Sequence, residues 1–230
     1  LEATIEYPLK FDANLSESFN NWGKILYKRF NQEVKEFFNE RPPYIVKDYI
    51  YARTVPCPDT GNDTPLVPNW HLLNPKTGRQ IVAVPKVNHN NGTWEAEIKD
   101  IGNGAGQIKN APSPTYKRGK GISLFSNSQI EPDYIKAMAQ AGKMKSHLYA
   151  IAVKTNKGLE FFPPDPADLK ALEAAKKELD RKRPEWETKN IIPTERYPEV
   201  SSDMRPITYG MPKWADLFSP RQLLAMGTLV

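Results

Sequence analysis

The chain has 230 residues, of which 39% are hydrophobic and 26% are charged. This length suits one large domain or two small ones, and the composition is typical of a soluble globular protein. The single cysteine excludes an internal disulfide and fits a reducing compartment, so we expect a cytoplasmic protein. No apolar run approaches the roughly 18 residues that a membrane-spanning helix needs, and no signal peptide is visible.

The formal net charge of +5 is concentrated in one part of the chain. Between Lys109 and Lys157 there are nine Lys or Arg residues but only two acids, Glu131 and Asp133. This distribution favours a partner that carries phosphates. The alternative is a solvated basic surface without a partner, because runs of charge are common on protein surfaces.

The first predicted element is a long helix that begins at Asn14 or Ser16 and runs to about Asn39, before Arg41-Pro-Pro ends it. Its apolar residues recur at helical spacing, which predicts one buried stripe along the helix. These residues are Leu15, Phe19, Trp22, Ile25, Leu26, Phe30, Val34, Phe37 and Phe38.

The stretch Tyr49–Val55 is rich in aromatic and β-branched residues and predicts a strand. Cys57 follows it in a Pro-rich turn that ends at Gly61. A strand followed by Cys-Pro, two residues and Gly is how a zinc knuckle begins, but Thr60 stands where the second thiolate would be. The pattern therefore predicts the frame of a metal site without its ligands.

Two further hairpins are predicted downstream, and they join Gln80–Val87 to Gly92–Ile98 and Leu148–Val153 to Leu159–Phe162. Three further helices are predicted, over Pro132–Ala141, from Pro166 to about Lys182, and from Ser219 onward. The segment 184–208 reads as an irregular connector. The fold class is therefore α+β, with a long N-terminal helix, small antiparallel ribbon-like sheets and several helices.

No catalytic centre is predicted from the residues themselves. His71, His89 and His147 lack partners at metal-ligand spacing, and Cys57 lacks a cationic setting that would activate a nucleophile. Arg41-Pro-Pro-Tyr44 is similar to the loop with which amino-group methyltransferases hold a flipped base, but arginine cannot accept the hydrogen bond that this loop must accept. The chain also begins with Leu1 and ends at Val230 inside an uncapped apolar helix, so we expect an excised piece of a longer protein.

Four stretches carry a family resemblance: ATIEYP, YIYARTVPCP, GKGISLFSNSQIEPDYIKAMAQAGKMKSHLYAIAV and YGMPKWADLFSPRQLLAM. Together they resemble the bacterial and archaeal adenine-specific DNA methylases that contain a zinc-ribbon insertion. The resemblance runs from about Ala3 to the last residue, and Tyr209–Met226 is its most specific part. It implies that the S-adenosylmethionine motif lies before Leu1–Pro8 and the catalytic loop lies beyond the helix that begins at Ser219.

The resemblance also implies positions for two Cys-x-x-Cys knuckles. They fall on Cys57 with Thr60 and on Leu124 with Asn127, so three of the four thiolates are missing. One thiolate cannot hold structural zinc, and the expectation is a degenerate zinc-ribbon-like substructure without metal. Leu124 and Phe125 are expected to fill the space that the metal would occupy.

The resulting functional prediction is the central, non-catalytic region of an adenine-specific (N6) DNA methyltransferase, which binds double-stranded DNA and contributes to target recognition. The parent enzyme would use S-adenosylmethionine, whereas this chain would hold no cofactor or metal. Its predicted parts are a helical segment of the methylase core (1–48), a β-rich ribbon-like insert (49–163), a helix and connector (164–208) and the start of the next core element (209–230). The predicted phosphate contacts are Lys109, Lys117, Arg118, Lys120, Lys143 and Lys145.

Two alternatives from other classes stay open. The chain could be an interaction or scaffold module that docks another component of a DNA modification or defence system, which exposed aromatic patches would favour. It could also be a small enzyme that uses Cys57.

Overall fold

The computed structural model describes residues 6–11, 14–73, 78–103, 111–200 and 202–230. Within these residues the protein has a mixed α+β structure with a long N-terminal helix and small antiparallel sheets, which confirms that part of the predicted fold class. No helix in these ranges combines the length and the apolar character needed to cross a membrane.

The described residues contain six α-helices, and these are α1 (Tyr7–Phe11), α2 (Asn14–Val34), α3 (Pro132–Gln140), α4 (Pro166–Thr188), α5 (Arg205–Thr208) and α6 (Pro220–Leu229). Short 3-10 helices cover Lys35–Phe37 and Trp214–Leu217. Helix α4 continues past its predicted end near Lys182 and includes Pro184. Proline lacks the backbone N–H that a residue inside a helix normally donates, and α4 ends one turn later, at Thr188. The Thr188 hydroxyl donates to the Pro184 carbonyl oxygen at 2.9 Å.

The strands within the described residues are β1 (Ile45–Pro56), β2 (Asp63–Pro65), β3 (His71–Leu73), β4 (Arg79–Asn88), β5 (Thr93–Asn103), β6 (Tyr116–Lys117), β7 (Lys120–Ile122), β8 (Gln129–Ile130), β9 (Lys145–Thr155) and β10 (Gly158–Phe162). They form three antiparallel sheets with the orders β10-β9-β1-β2, β3-β4-β5 and β6-β7-β8. The β4–β5 and β9–β10 hairpins confirm the two predicted ones.

The strand β9 is an internal strand of the largest sheet, and both of its faces are buried. Residues 148–153, LYAIAV, are all buried, whereas an antiparallel strand with one solvated face would alternate. It pairs with β1 on one side, from Ile45 opposite Lys154 to Thr54 opposite Lys145, and with β10 on the other.

The described chain divides into two compact units. Of the described residues, a helical unit comprises those within 6–39, 170–192 and 219–230, and a β unit comprises those within 40–169 and 193–218. The four-part division predicted from the family resemblance follows other boundaries and stays a prediction.

The helical unit contains the predicted start of the last helix. Ser219 caps α6 because its hydroxyl accepts from the Gln222 N–H at 3.3 Å, and the Gln222 side chain accepts from the Ser219 N–H at 2.9 Å. The Arg221 guanidinium lies over the Phe38 ring, 5.1 Å from its centroid. Gly227 faces the Trp186 ring so closely that a side chain at this position would collide with it.

The predicted buried stripe on α2 is wrong for most of its length. Val34 is buried, as is Phe37 in the following 3-10 turn, but Phe19 is 77% exposed and Trp22 is 68% exposed. Leu26 is also exposed. Helical periodicity identifies the face that a helix can bury but not the element that covers it, and in the described part of the helical unit this face remains in solvent.

The core of the β unit is built around three aromatic rings. The Trp70 ring packs edge-on against Trp94 and Tyr149, with centroid distances of 5.9 Å and 5.7 Å. Small buried residues of the strands, Ala52, Ala83, Ala96 and Ala150, leave room for these rings. The Trp70 indole N–H donates to the Ser113 carbonyl oxygen at 3.1 Å, so the largest buried side chain also satisfies its polar atom.

Candidate nucleic-acid interface and the paired turns

Three of the predicted phosphate contacts lie on one short hairpin. Strands β6 and β7 are joined by Arg118 and Gly119, both of which have positive φ, 51° and 85°. This is the left-handed geometry of a two-residue hairpin turn. Glycine adopts it without strain, whereas it is unfavourable for arginine. Lys117 and Lys120 pair across the hairpin, and all three basic side chains are exposed. We call Lys117, Arg118 and Lys120 the basic hairpin.

The structure does not bring the remaining predicted contacts to this hairpin. Gly119 lies against Pro132 at the start of α3, whereas Lys143 follows the end of α3 and donates its backbone N–H to the Met138 carbonyl oxygen at 2.8 Å. A nine-residue helix is about 13 Å long, so Lys143 and Lys145 lie at the opposite end of α3 from the basic hairpin. Lys109 lies outside the described residues.

The described basic residues differ in whether they already have an acidic partner. Lys120 Nζ lies 3.7 Å from Glu131 Oε2, and Lys145 Nζ lies 2.8 Å from Asp63 Oδ2. Lys117, Arg118 and Lys143 make no ion pair with any residue that the structure describes. Exposed ion pairs contribute little free energy, so a phosphate can compete for Lys120 and Lys145 as well.

Arg53 is a basic neighbour that the sequence analysis missed. It lies opposite Ser146 in the β1–β9 ladder, and its Nη1 donates to Ser146 Oγ at 3.2 Å. The side chain is exposed. Arg53 precedes the basic stretch by more than fifty residues, and the pairing of β1 with β9 brings its backbone next to that of Lys145. Because side chains alternate between the faces of a sheet, Arg53 and Ser146 share one face and Lys145 belongs to the other.

The turn after β1 is closed by two backbone hydrogen bonds. The Gly61 N–H donates to the Cys57 carbonyl oxygen at 2.8 Å, and the Cys57 N–H donates to the Asn62 carbonyl oxygen at 2.8 Å. Gly61 has a φ of 73°, which lets the chain reverse tightly.

The turn between β7 and β8 repeats the same pattern. The Asn127 N–H donates to the Ser123 carbonyl oxygen at 3.1 Å, the Ser123 N–H donates to the Ser128 carbonyl oxygen at 2.9 Å, and Asn127 has a φ of 58°. Ser123 is therefore the structural equivalent of Cys57, and Ser126 is the equivalent of Thr60. The predicted second knuckle, Leu124 with Asn127, is wrong by one residue, because its two positions are Ser123 and Ser126.

The four equivalent side chains meet around the cysteine. Cys57 Sγ lies 3.5 Å from Ser126 Oγ, and the thiol is buried. Burial raises the pKa of the Cys57 thiol, but hydrogen bonds with Ser123, Ser126 and Thr60 outweigh this effect and bring the pKa to about 7. The thiol therefore lies among three hydroxyl groups, one from its own turn and two from the second turn.

Leu124 and Phe125 do not fill the space between the two turns. Both side chains pack against the cluster that contains Trp70 and Trp94. That part of the prediction is wrong, because Ser123 and Ser126, rather than the two apolar residues, are directed at Cys57. Within the described ranges no group of three His, Cys, Asp or Glu side chains could hold a metal ion.

The histidines make structural contacts in the described residues. His71 Nδ1 lies 2.7 Å from Asn69 Oδ1, and the His89 ring meets Phe125 edge-on at 6.3 Å. His147 stacks on Trp94 at 4.4 Å, beside a cleft of about 270 Å³ that Asn62, Asp63, Thr93 and Lys145 also line. Burial lowers the pKa of His147, although the charges of Asp63 and Glu95 oppose this effect.

The lowered pKa of His147 makes the stability of the fold depend on pH. The unfolded chain binds a proton at His147 near the ordinary pKa of about 6.5, whereas the folded chain binds it only at lower pH. Stability is therefore lost as pH falls through and below that value. We expect His147→Gln to lose less stability than the wild type between about pH 8 and pH 5.5, measured as urea midpoints. The exposed His89→Gln is the matched control, and parallel curves for wild type and His147→Gln would contradict the prediction.

The Arg41-Pro-Pro-Tyr44 segment has a structural role. Arg41 Nη2 contacts the Asp165 carboxylate at 3.1 Å and also the Asp168 carboxylate, which is fully buried. The two aspartates hold the start of α4, because each accepts a hydrogen bond from the backbone N–H of the other, at 2.8 Å and 3.0 Å. Hydrogen bonding to the Asp168 N–H lowers the pKa of Asp165, and Arg41 adds to this.

Neither sequence nor structure comparison relates the chain to a known protein: no family model, no curated protein and no solved structure matches it.

Proposed function

We propose that the chain is the central, non-catalytic region of an adenine-specific (N6) DNA methyltransferase of a modification or restriction system, and that it binds double-stranded DNA. The observation that carries the proposal is the pair of equivalent turns at Cys57 and Ser123, because a family with a zinc-ribbon insertion would contain two such turns. They support a zinc-ribbon-like substructure next to the basic hairpin. The proposed parent enzyme is cytoplasmic and binds S-adenosylmethionine through residues outside this chain.

The proposed DNA contacts form two groups. The basic hairpin is one, and Lys143 and Lys145 at the other end of α3 are the second. Two groups at opposite ends of a helix about 13 Å long can contact phosphates on different parts of a duplex. Such contacts supply affinity and register but little sequence information, so target choice would depend on other parts of the parent enzyme.

Replacing Lys117, Arg118 and Lys120 with alanine tests this proposal. If all three contact phosphates, the variant should bind a labelled duplex more weakly, and the slope of log affinity against log salt should fall by about 2–3. Fluorescence anisotropy across a salt series measures both quantities.

The matched control removes the same charge elsewhere in the β unit. Lys47, Lys154 and Lys157 are exposed and lie where Ile45 pairs with Lys154, at the opposite end of the β1–β9 ladder from Lys145. Their replacement with alanine should leave the slope nearly unchanged. Equal losses for both triple variants would show a general charge effect, and no loss in the hairpin variant would move the interface elsewhere.

The exposed aromatic face of α2 favours a second candidate function, an interaction or scaffold module within a modification or defence system. Phe19, Trp22 and Leu26 lie on one exposed helix, and contiguous apolar patches of this kind often mark protein contacts. The same salt series distinguishes the candidates, because a module without a DNA role would not bind the duplex even at low salt. The third candidate, an enzyme that uses Cys57, has no support in the geometry, since the thiol is buried among hydroxyl groups.

A further inference from the structure

The two equivalent turns define four side-chain positions that sequence spacing alone misplaces. Their shared backbone hydrogen bonds match Cys57 with Ser123 and Thr60 with Ser126. In a zinc ribbon each such turn supplies two thiolates, one at each end of a Cys-x-x-Cys spacing. The four positions of this chain carry one thiol and three hydroxyl groups.

This set of side chains does not fit structural zinc. Zinc in such sites is held by thiolates, imidazoles or carboxylates, and aliphatic hydroxyl groups are not among its usual ligands. The acidic side chain nearest to these positions does not complete a set, because Asp59 is engaged by two hydroxyl groups instead. Ser126 Oγ donates to Asp59 Oδ2 at 2.8 Å, and Ser128 also donates to this carboxylate.

We propose that Cys57, Thr60, Ser123 and Ser126 occupy the four ligand positions of a zinc ribbon, and that hydrogen bonds between the two turns replace the metal in this chain. The Asp59 carboxylate belongs to the first turn, while Ser126 and Ser128 belong to the second. Their hydrogen bonds therefore join the two turns, as zinc would. We call this group, with Cys57 and Ser126 in contact behind it, the hydroxyl clasp.

The clasp has the properties that a replacement for a metal requires. Its acceptor is charged, and hydrogen bonds to a charged acceptor are stronger than neutral ones. Ser123 is buried, and its hydroxyl oxygen also accepts from the backbone N–H of Phe125 at 3.1 Å and of Ser126 at 3.2 Å, so the second turn is held from within.

Restoring the thiolates tests the four positions. The variant Thr60→Cys/Ser123→Cys/Ser126→Cys should bind stoichiometric zinc in metal analysis of the purified chain, and with Co²⁺ it should show the visible absorption of a tetrahedral thiolate site. The matched control is Thr60→Cys/Leu124→Cys/Asn127→Cys, which adds the same number of thiols at the positions predicted from sequence spacing. It should bind neither metal stoichiometrically. Zinc in the wild-type chain, or cobalt absorption in the control alone, would overturn the proposal.

A second experiment tests the hydroxyl clasp without metal and without the triple variant. Asp59→Ala should lower the midpoint of thermal unfolding by about 2–4 °C, because two exposed hydrogen bonds to a charged acceptor are lost. Asp133→Ala, which removes an exposed carboxylate on α3, is the control and should change the midpoint little. A chelator should leave the wild-type midpoint unchanged. An unchanged midpoint for Asp59→Ala, or a fall on adding chelator, would refute the clasp, and none of these outcomes depends on DNA binding.

Discussion

Replacing Trp70 with alanine is expected to lower the free energy of unfolding by about 3–5 kcal/mol, the usual range for a buried large-to-small aromatic change. The side chain is 1% exposed and contacts the rings of Trp94 and Tyr149 at their edges. Its indole N–H is also the donor to the Ser113 carbonyl oxygen, so alanine would leave both a cavity and an acceptor without its partner. Urea unfolding followed by circular dichroism measures the loss.

Two other substitutions separate the contributions to this effect. Trp70→Phe keeps most of the ring contacts but not the hydrogen bond, so it should cost about 1–2 kcal/mol. Trp214→Ala removes the same side chain at a position that is 41% exposed, and should cost less than about 1 kcal/mol. Equal losses for Trp70→Ala and Trp214→Ala would contradict the assignment of Trp70 to the core.

Replacing Asp168 with alanine is expected to cost about 2–4 kcal/mol. Removing one partner of a buried ion pair leaves the other charge poorly compensated, and α4 also loses the carboxylate that accepts from the Asp165 N–H. The cost stays below that of a fully buried pair because Arg41 is partly exposed and keeps Asp165 as a partner at 3.1 Å. Urea unfolding at neutral pH measures it.

A double-mutant cycle shows whether Arg41 is the relevant partner. Arg41→Ala, Asp168→Ala and the double variant should give a coupling free energy of about 1–3 kcal/mol if the ion pair dominates. If the two single losses simply add, the effect of Asp168 comes from its role at the start of α4 alone. In that case the ion pair would make no measurable contribution to the free energy of unfolding.

Local sequence patterns predicted the regular elements well. The apolar residues of β9, the Asn-Gly and Lys-Gly turns of the two hairpins and the Ser219–Pro220 helix start each depend on neighbours in the chain. Such signals are complete within a few residues, so no knowledge of the tertiary structure was needed to use them.

The second turn could not be placed from sequence because it contains no cysteine. A Cys-x-x-Cys spacing identifies a knuckle by its ligands, and neither Ser123 nor Ser126 carries sulfur. What identifies the turn is the pair of backbone hydrogen bonds at Ser123 and the positive φ of Asn127. Asn127 stands at the position that Gly61 has in the first turn, and asparagine adopts left-handed geometry more readily than most residues. This residue is the sequence signal that indicates the second turn.

The basic residues illustrate a different limit. Their number was visible in the sequence, but their arrangement depends on α3, which separates the basic hairpin from Lys143. The pairing of β1 with β9 brings Arg53 from a distant part of the chain next to Ser146, on the face of the sheet opposite to Lys145. A count of charges along the sequence predicts a positive electrostatic potential. Which basic residues can contact the same partner depends on the fold.

The two matching turns have a consequence for how this region can mature in the cell. A ribbon closed by zinc must acquire its ion before it is stable, and it exposes four thiolates to oxidants whenever the ion is absent. A region closed by hydrogen bonds among Asp59, Ser126 and Ser128 can reach its final structure as soon as the strands have paired. It also carries a single thiol, that of Cys57. If the hydroxyl clasp takes the place of the metal, as we propose, folding of this region does not depend on zinc supply, and one thiol rather than four is open to oxidation.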